Sequence, residues 1–329
     1  MFIGRKKETK MLQRETSGYR FNLIEISGDS GIGKTSLIEN FYEQNEKSFA
    51  FCAVQMNPAQ VQNSAIGSLV LQIANHVSEE EIKQIIPSNN LQLWSSLCPE
   101  LLKKRSSTPT VLSIKKNGYD LDSKIEIFYE IITRFQAIVL KPLVIWIDDF
   151  QYLDTESLMI FEKLIPLLER RRLSISWIVS YRFIEGIPFA ERWVQIKSEV
   201  KQKKKMMMKP FSIEETKAFA DMFFSSEFSA QNSKFLNLIQ EKTQGNPFFI
   251  RQILQQCRDS DVIECQFDRW VVHEKKDKTI ERALRELLTS RLADFIRSST
   301  VARYVFYYLQ VANQPISDRA LIGCHLEQR

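Results

Sequence analysis

The segment Gly28-Asp-Ser-Gly-Ile-Gly33-Lys34-Thr35 constrains this chain more than any other. It matches GxxxxGK[ST] in full. It stands between a short apolar run, Phe21 to Ser27 (FNLIEIS), and residues at helical spacing, Ile38, Phe41 and Tyr42. Glycines let the main chain bend around a polyphosphate, whose oxygens accept successive N–H groups at a positive helix N-terminus. The candidate phosphate-binding residues are therefore Gly28, Asp29, Ser30, Gly31, Ile32, Gly33, Lys34, Thr35 and Ser36. Lys34 would bridge the terminal phosphates, which also makes it a catalytic candidate. Thr35 would supply a hydroxyl to Mg2+, a cation that prefers oxygen ligands and keeps several waters. A glycine-rich turn would satisfy the bare pattern, but it does not account for a buried strand before it and a helix after it.

The surrounding periodicity predicts an α/β core. Ser48 to Val54 (SFAFCAV) reads as a second strand, and strand, helix, strand implies a parallel βαβ unit. Ala65 to His76 and Asp122 to Ala137 carry helical stripes, as does Glu156 to Arg170. Leu143 to Ile147 (LVIWI) and Leu173 to Ser180 (LSISWIVS) read as further strands. Between them, about 87–121 is a polar, Ser- and Pro-containing insertion. Beyond Pro210 the pattern turns helical, over Ser212 to Phe224, Asn232 to Glu241, Pro247 to Cys257 and Ile280 to Arg291, with Ser212 and Glu215 forming a capping box.

The LVIWI strand ends in Asp148-Asp149. Beside a phosphate loop this pair reads as a metal-holding Asp148, acting through water, and an Asp149 that orients or deprotonates attacking water; alone it would serve equally as a helix N-cap. Arg182 follows the strand ending at Ser180. There it either reaches toward a terminal phosphate as a catalytic group or is a surface arginine.

Charge and composition exclude other classes. Lys and Arg number 45 against 40 Asp and Glu, giving +5, and residues 197–209 alone hold six Lys against one Glu. The remainder is neutral, so no broad basic face for nucleic acid is indicated. Lys201 to Lys205 are expected in a solvated loop or exposed hairpin, or at a local acidic contact, and Met206-Met207-Met208 in strand core. Cys52, Cys98, Cys257, Cys265 and Cys324 are scattered and odd in number, which predicts reduced thiols rather than a disulfide framework. His76, His273 and His325 are isolated, without zinc-site spacing. The longest apolar stretch, Ala137 to Ile147, is broken by Lys141-Pro142, and Met1-Phe-Ile-Gly-Arg-Lys-Lys lacks a signal-peptide core, so a soluble cytoplasmic protein is expected, away from membranes.

Five motifs in order carry a family resemblance: Phe2-Ile3-Gly4-Arg5 with Glu8; the phosphate loop; Ile147-Asp148-Asp149-Phe-Gln-Tyr-Leu-Asp154; Ser180-Tyr181-Arg182; and Gly245-Asn246-Pro247-Phe248-Phe249. Together they resemble the STAND ATPases, and more narrowly the origin-recognition-like AAA-type ATPase domains of large bacterial regulators, cyclases and kinases. The resemblance spans roughly residues 1 to 310. It implies a P-loop NTPase (AAA-type) parallel-sheet core over 1–210, an all-α lid over 211–280 and a partial winged-helix-like segment over 281–329. It also implies that Arg5 lies near the adenine or ribose, that Pro247 packs against the base, and that Arg182 occupies the position of the arginine that ends the fourth strand. Asp149 stands where many AAA-type enzymes carry Glu, and no second arginine acting in trans is identifiable. The winged-helix segment begins near Ser298 to Gln310 and the chain stops at Arg329, so a fragment, a degenerate copy or a free-standing module is expected.

The leading expectation is an ATP-binding, slowly hydrolysing switch that uses ATP/ADP and Mg2+, acts in signalling or regulation through a protein partner or effector, and self-associates on binding ATP. The alternative is a non-catalytic, nucleotide-stabilised interaction module. A DNA-loading ATPase ranks below both. The absence of Asn-Lys-x-Asp favours adenine over guanine.

Overall fold

The computed structural model describes residues 3–273 apart from 19, 58–63, 87–119, 183–187, 226 and 267–268. Most of the insertion, the helix expected over Ile280 to Arg291, the winged-helix segment, and Cys98, Cys324 and His325 lie outside the described residues. The chain divides into two compact units, Met1–Pro210 and Phe211–Arg329.

In the first unit the elements run α1 (Lys6–Thr16), β1 (Asn22–Ser27), α2 (Lys34–Asn45), β2 (Ala50–Gln55), α3 (Ser64–Asn75), α4 (Glu79–Ile85), α5 (Leu121–Val139) and β3 (Leu143–Asp148). They continue with α6 (Thr155–Arg170), β4 (Ile175–Tyr181), α7 (Pro188–Glu199) and β5 (Lys203–Met207). The strands form one parallel sheet in the order β2-β3-β4-β1-β5. Apolar runs such as LVIWID and ISWIVSY are buried along their whole length because helices cover both faces.

Successive side chains of a strand point to opposite faces, and the core divides accordingly. Leu23, Leu143, Ile145, Ile147, Ile175, Trp177 and Val179 pack with α3, α5, α6 and α7. Ile24, Ile26, Val144, Trp146 and Ile178 pack with Leu12 of α1 and with Leu37, Ile38 and Phe41 of α2. By the same alternation Asp148 and Ser180 fall on the α2 face. Helix starts are set by side chains: Asp120 accepts from the Ser123 N–H, and Asp154 from the Ser157 N–H.

Three expectations change here. Helices α4 and α7 were not read from the sequence; α4 has only seven residues, opened by a Ser78–Glu81 capping box. Lys203, Lys204 and Lys205 do not form a loop or hairpin. They are the exposed start of edge strand β5, held in parallel register with Leu23, Ile24 and Glu25. The acidic contact exists one step earlier, where the Glu169 carboxylate accepts the N–H groups of Lys201 and Gln202. Met206 and Met208 are buried as expected, whereas Met207 is 63% exposed because it faces the other way.

The second unit holds α8 (Ile213–Phe223), α9 (Phe228–Gln231), α10 (Ser233–Thr243) and α11 (Pro247–Asp259). An antiparallel hairpin, β6 (Ile263–Gln266) with β7 (Arg269–Val272), follows them. The helices pack around Phe224, Phe228, Leu236, Ile239, Ile250 and Ile253. The Ser212–Glu215 capping box is present in full. The hairpin corrects the expectation of an all-α unit: each strand has four residues, too few for alternation to register, yet the Trp270 ring lies tilted against Phe224, 4.8 Å between centroids, and its indole N–H donates to the Phe224 carbonyl.

Among the described residues no helix is long and apolar enough to cross a membrane. Cys52, Cys257 and Cys265 are free thiols; burial pushes Cys52 up to about 12 and Cys257 up to about 11, so both stay protonated at neutral pH.

Candidate functional site

Strand β1 ends at Ser27, and residues 28–33 turn from it into α2. Gly33 opens the helix at φ 96°, in the left-handed region that glycine alone adopts freely. Ile32 is buried in the α2-side core and pins the middle of the loop. Asp29 and Ser36 are exposed, while Ser30, Gly31 and Thr35 are partly so. The first N–H groups of α2 have no acceptor within their own helix and point out of its positive end.

Lys34 is 7% exposed, and its Nζ donates to the carbonyls of Gly28 (2.7 Å) and Asp29 (3.0 Å). Its ammonium thus lies back over the loop. Burial lowers its pKa below the ordinary lysine value and the nearby Arg182 cation adds to this, against the raising influence of Asp149, Asp148 and Asp29.

The Thr35 hydroxyl donates to Asp148 Oδ2 at 2.6 Å. Asp148 Oδ1 accepts from Ser180 Oγ at 2.5 Å and from the Asp149 N–H at 2.9 Å, and Ser180 Oγ in turn accepts from the Trp146 indole N–H at 2.8 Å. This chain is possible because Trp146, Asp148 and Ser180 share one face of the sheet and Ile147 is paired with Val179. A hydroxyl and a carboxylate oxygen in contact are hard oxygen donors of the kind Mg2+ takes, few in number and leaving room for water and phosphate oxygens, so the residues fit the ion.

Asp149 sits in a left-handed turn, with φ 50°. Its Oδ1 accepts from Gln151 Nε2 at 2.8 Å and lies 3.8 Å from Arg182 Nε. Gln151 is 5% exposed, and its carbonyl oxygen accepts the Arg182 N–H at 3.1 Å. The ends of β1, β3 and β4 thus bring together Lys34, Thr35, Asp148, Asp149 and Arg182 at the carboxyl edge of the sheet, where α/β folds bind ligands.

Arg5 joins this group from the N-terminal side. It is 4% exposed, donates through Nη2 to the Ile32 carbonyl at 3.0 Å and pairs with Glu8 at 3.6 Å, so its guanidinium grips the loop itself. Pro247 belongs to the second unit. It is the first residue of α11, after the Asn246 side chain that caps the Phe248 N–H. The turn before it needs glycine: Gly245 has φ 74°, and a Cβ there would meet the Phe211 carbonyl at 2.3 Å.

Gln151 and Ser180 stand inside two of the sequence motifs but were given no role there, and sequence reasoning missed Glu25 altogether. That carboxylate, 4% exposed in mid-β1, accepts from Tyr181 Oη (2.9 Å), Trp193 Nε1 (3.2 Å) and Lys197 Nζ (3.1 Å), tying α7 to the strand that carries the loop. A charged residue inside an apolar strand run was the available signal.

The sequence pattern of the AAA ATPase domain matches residues 1–178. Among solved structures, the ORC1 protein of Aeropyrum pernix in complex with DNA superimposes with a TM-score of 0.53 at 10% identity, covering 99% of this chain and 78% of that one. That likeness shows a common fold. The ORC2 protein of Aeropyrum pernix, in ADPNP and ADP complexes, gives 0.49 at 12% identity over 99% of this chain and 81% of that one. The Drosophila ORC bound to DNA gives 0.42 at 14% over 98% and 86%. No protein of curated function matches the sequence with significance.

Proposed function

The chain belongs to the AAA ATPase domain family, and from that premise we propose that it is a Mg2+-dependent, slowly hydrolysing ATP switch of the STAND type, reporting its nucleotide state to a protein partner or by self-association. One observation carries the reading: Lys34, the Thr35–Asp148 pair and the Asp149–Arg182 pair converge at adjacent strand ends beside an open helix N-terminus. The N–H groups of the loop would hold the phosphates, and Lys34 would turn from its own loop carbonyls to the terminal phosphates. Thr35 and Asp148 would hold Mg2+, which when bound neutralises phosphate charge. Asp149 would orient the attacking water or take its proton, and Arg182 would meet charge on the γ-phosphate. Pro247 and α11 would read the base from the second unit, so that bound nucleotide biases the relation between the units.

Lys34→Ala should weaken Mg2+-ATP binding about tenfold to a hundredfold, the loss of a hydrogen bond to a charged group. Normal affinity in that variant, measured by titration calorimetry, would sink the reading. Asp149→Asn should lower single-turnover phosphate release about 10²- to 10⁴-fold, the usual contribution of a general base. If wild type and Asp149→Asn release phosphate equally, the second reading holds, a nucleotide-stabilised module without catalysis; its support is that Asp149 is already engaged by both Gln151 and Arg182. A DNA-loading role ranks lower because the positive surplus sits in one segment. Duplex binding that falls steeply with salt would reinstate it.

A further inference from the structure

We propose that Gln151 is a positioning residue of this site: its amide holds Asp149 in place while its carbonyl fixes the main chain of Arg182, so that the arginine side chain can leave Asp149 for the γ-phosphate without either group losing register. The inference rests on the ATPase reading above. Three contacts carry it. Gln151 Nε2 donates to Asp149 Oδ1 at 2.8 Å; Gln151 Oε1 accepts the Arg182 N–H at 3.1 Å; and Arg182 Nε lies 3.8 Å from that same Asp149 oxygen. One buried amide therefore uses both its ends to bridge the β3 terminus and the β4 terminus.

The two contacts to Asp149 differ in permanence. Arg182 is 40% exposed on its side chain and 3.8 Å away, a loose ion pair in solvent. Gln151 is 5% exposed and within normal hydrogen-bond distance. A γ-phosphate competes for the guanidinium far better than for a neutral amide, because guanidinium and phosphate form charge-assisted, often paired hydrogen bonds. When Arg182 moves to the phosphate, the Gln151 amide still restrains Asp149. The main-chain anchor makes the motion a side-chain swing.

The test uses the full chain and three proteins: wild type, Gln151→Leu, which loses both hydrogen bonds, and Gln151→Glu, which keeps an acceptor for the Arg182 N–H but has no donor for Asp149. Single-turnover phosphate release, Mg2+-ATP and Mg2+-ADP affinities and melting temperature are measured for each. Gln151→Leu should release phosphate about tenfold to a hundredfold more slowly, the scale of a misaimed reacting group. Its ADP affinity should stay within about twofold of wild type while its ATP-to-ADP affinity ratio shifts several-fold. Gln151→Glu should keep the wild-type affinity ratio and lose rate, because Asp149 no longer has an amide donor to aim it. An unchanged rate and an unchanged ratio in Gln151→Leu would overturn the proposal. So would a parallel loss of ATP and ADP affinity with a lowered melting temperature, which marks a structural role. Failure of the ATPase reading looks different: wild type itself then binds no Mg2+-nucleotide. If wild type binds nucleotide but does not hydrolyse it, the affinity ratio alone decides.

Discussion

Ser180 uses its hydroxyl twice, accepting from the Trp146 indole and donating to Asp148 Oδ1. Ser180→Ala would strand a buried N–H and withdraw one of the donors that hold the Asp148 carboxylate. We expect a loss of about 1–3 kcal/mol in urea unfolding, the cost of leaving a buried polar group unpaired. A loss below about 0.5 kcal/mol, the usual range of surface substitutions, would contradict the role assigned to the chain of hydrogen bonds. At this scale the sequence was legible where chemistry imposes spacing: the loop residues from Gly28 to Thr35 and the Asp148-Asp149 pair stand out because a strand, a turn and a helix must follow in order. Gln151 and Ser180 stood inside two of the quoted motifs without a role, since a serine or glutamine near a strand end has many ordinary uses; Gln151 meets Asp149 from two residues away, and the pairing of β3 with β4 brings Ser180 to Asp148. Arg5 was legible only through resemblance, and the structure adds its hydrogen bond to Ile32.

Among the elements, β5 shows how one segment serves two purposes. Met206 faces the core, while Lys203, Lys204 and Lys205 stand exposed along the outer edge of the sheet. Charged side chains on an edge strand discourage pairing with other chains. Replacing the three lysines with threonine should leave Mg2+-ATP affinity within about twofold, yet raise concentration-dependent light scattering; a large affinity loss would contradict the placement of these residues at the edge. The strands were readable because apolar runs buried on both faces carry no competing signal. Helix α7 was harder to read, since among its described residues only Trp193 and Ile196 are buried, too few to set a period. The hairpin β6–β7 escaped for the same reason of length.

For the whole molecule, the division at Pro210 gives the switch proposal a thermal signature. A ligand at about a hundred times its dissociation constant stabilises the unit that binds it by ~2.7 kcal/mol. Calorimetry of the full chain should show the transition of the first unit rising with Mg2+-ATP. If nucleotide also engages the second unit through Pro247, both transitions rise together; a shift confined to one would contradict the coupling. The family and the core fold were legible from the ordered motifs, whereas the second unit offered a single motif, Gly245 to Phe249, and was otherwise legible only as helical, because the packing of its aromatic side chains follows no fixed spacing.

The position of β1 has a consequence for the order in which the chain is built. The strand that launches the phosphate loop is made first, yet its partners are β4, which pairs Asn22 with Ser176, and β5, which pairs Leu23 with Lys203. Contacts so distant in sequence form late, after the loop-closure entropy between them has been overcome. A ribosome that has synthesised only as far as α2 therefore carries the complete loop sequence with nothing to hold it open. β1 is flanked on both sides only once Met207 has emerged, so nucleotide binding at the loop would report that β5 has found its place.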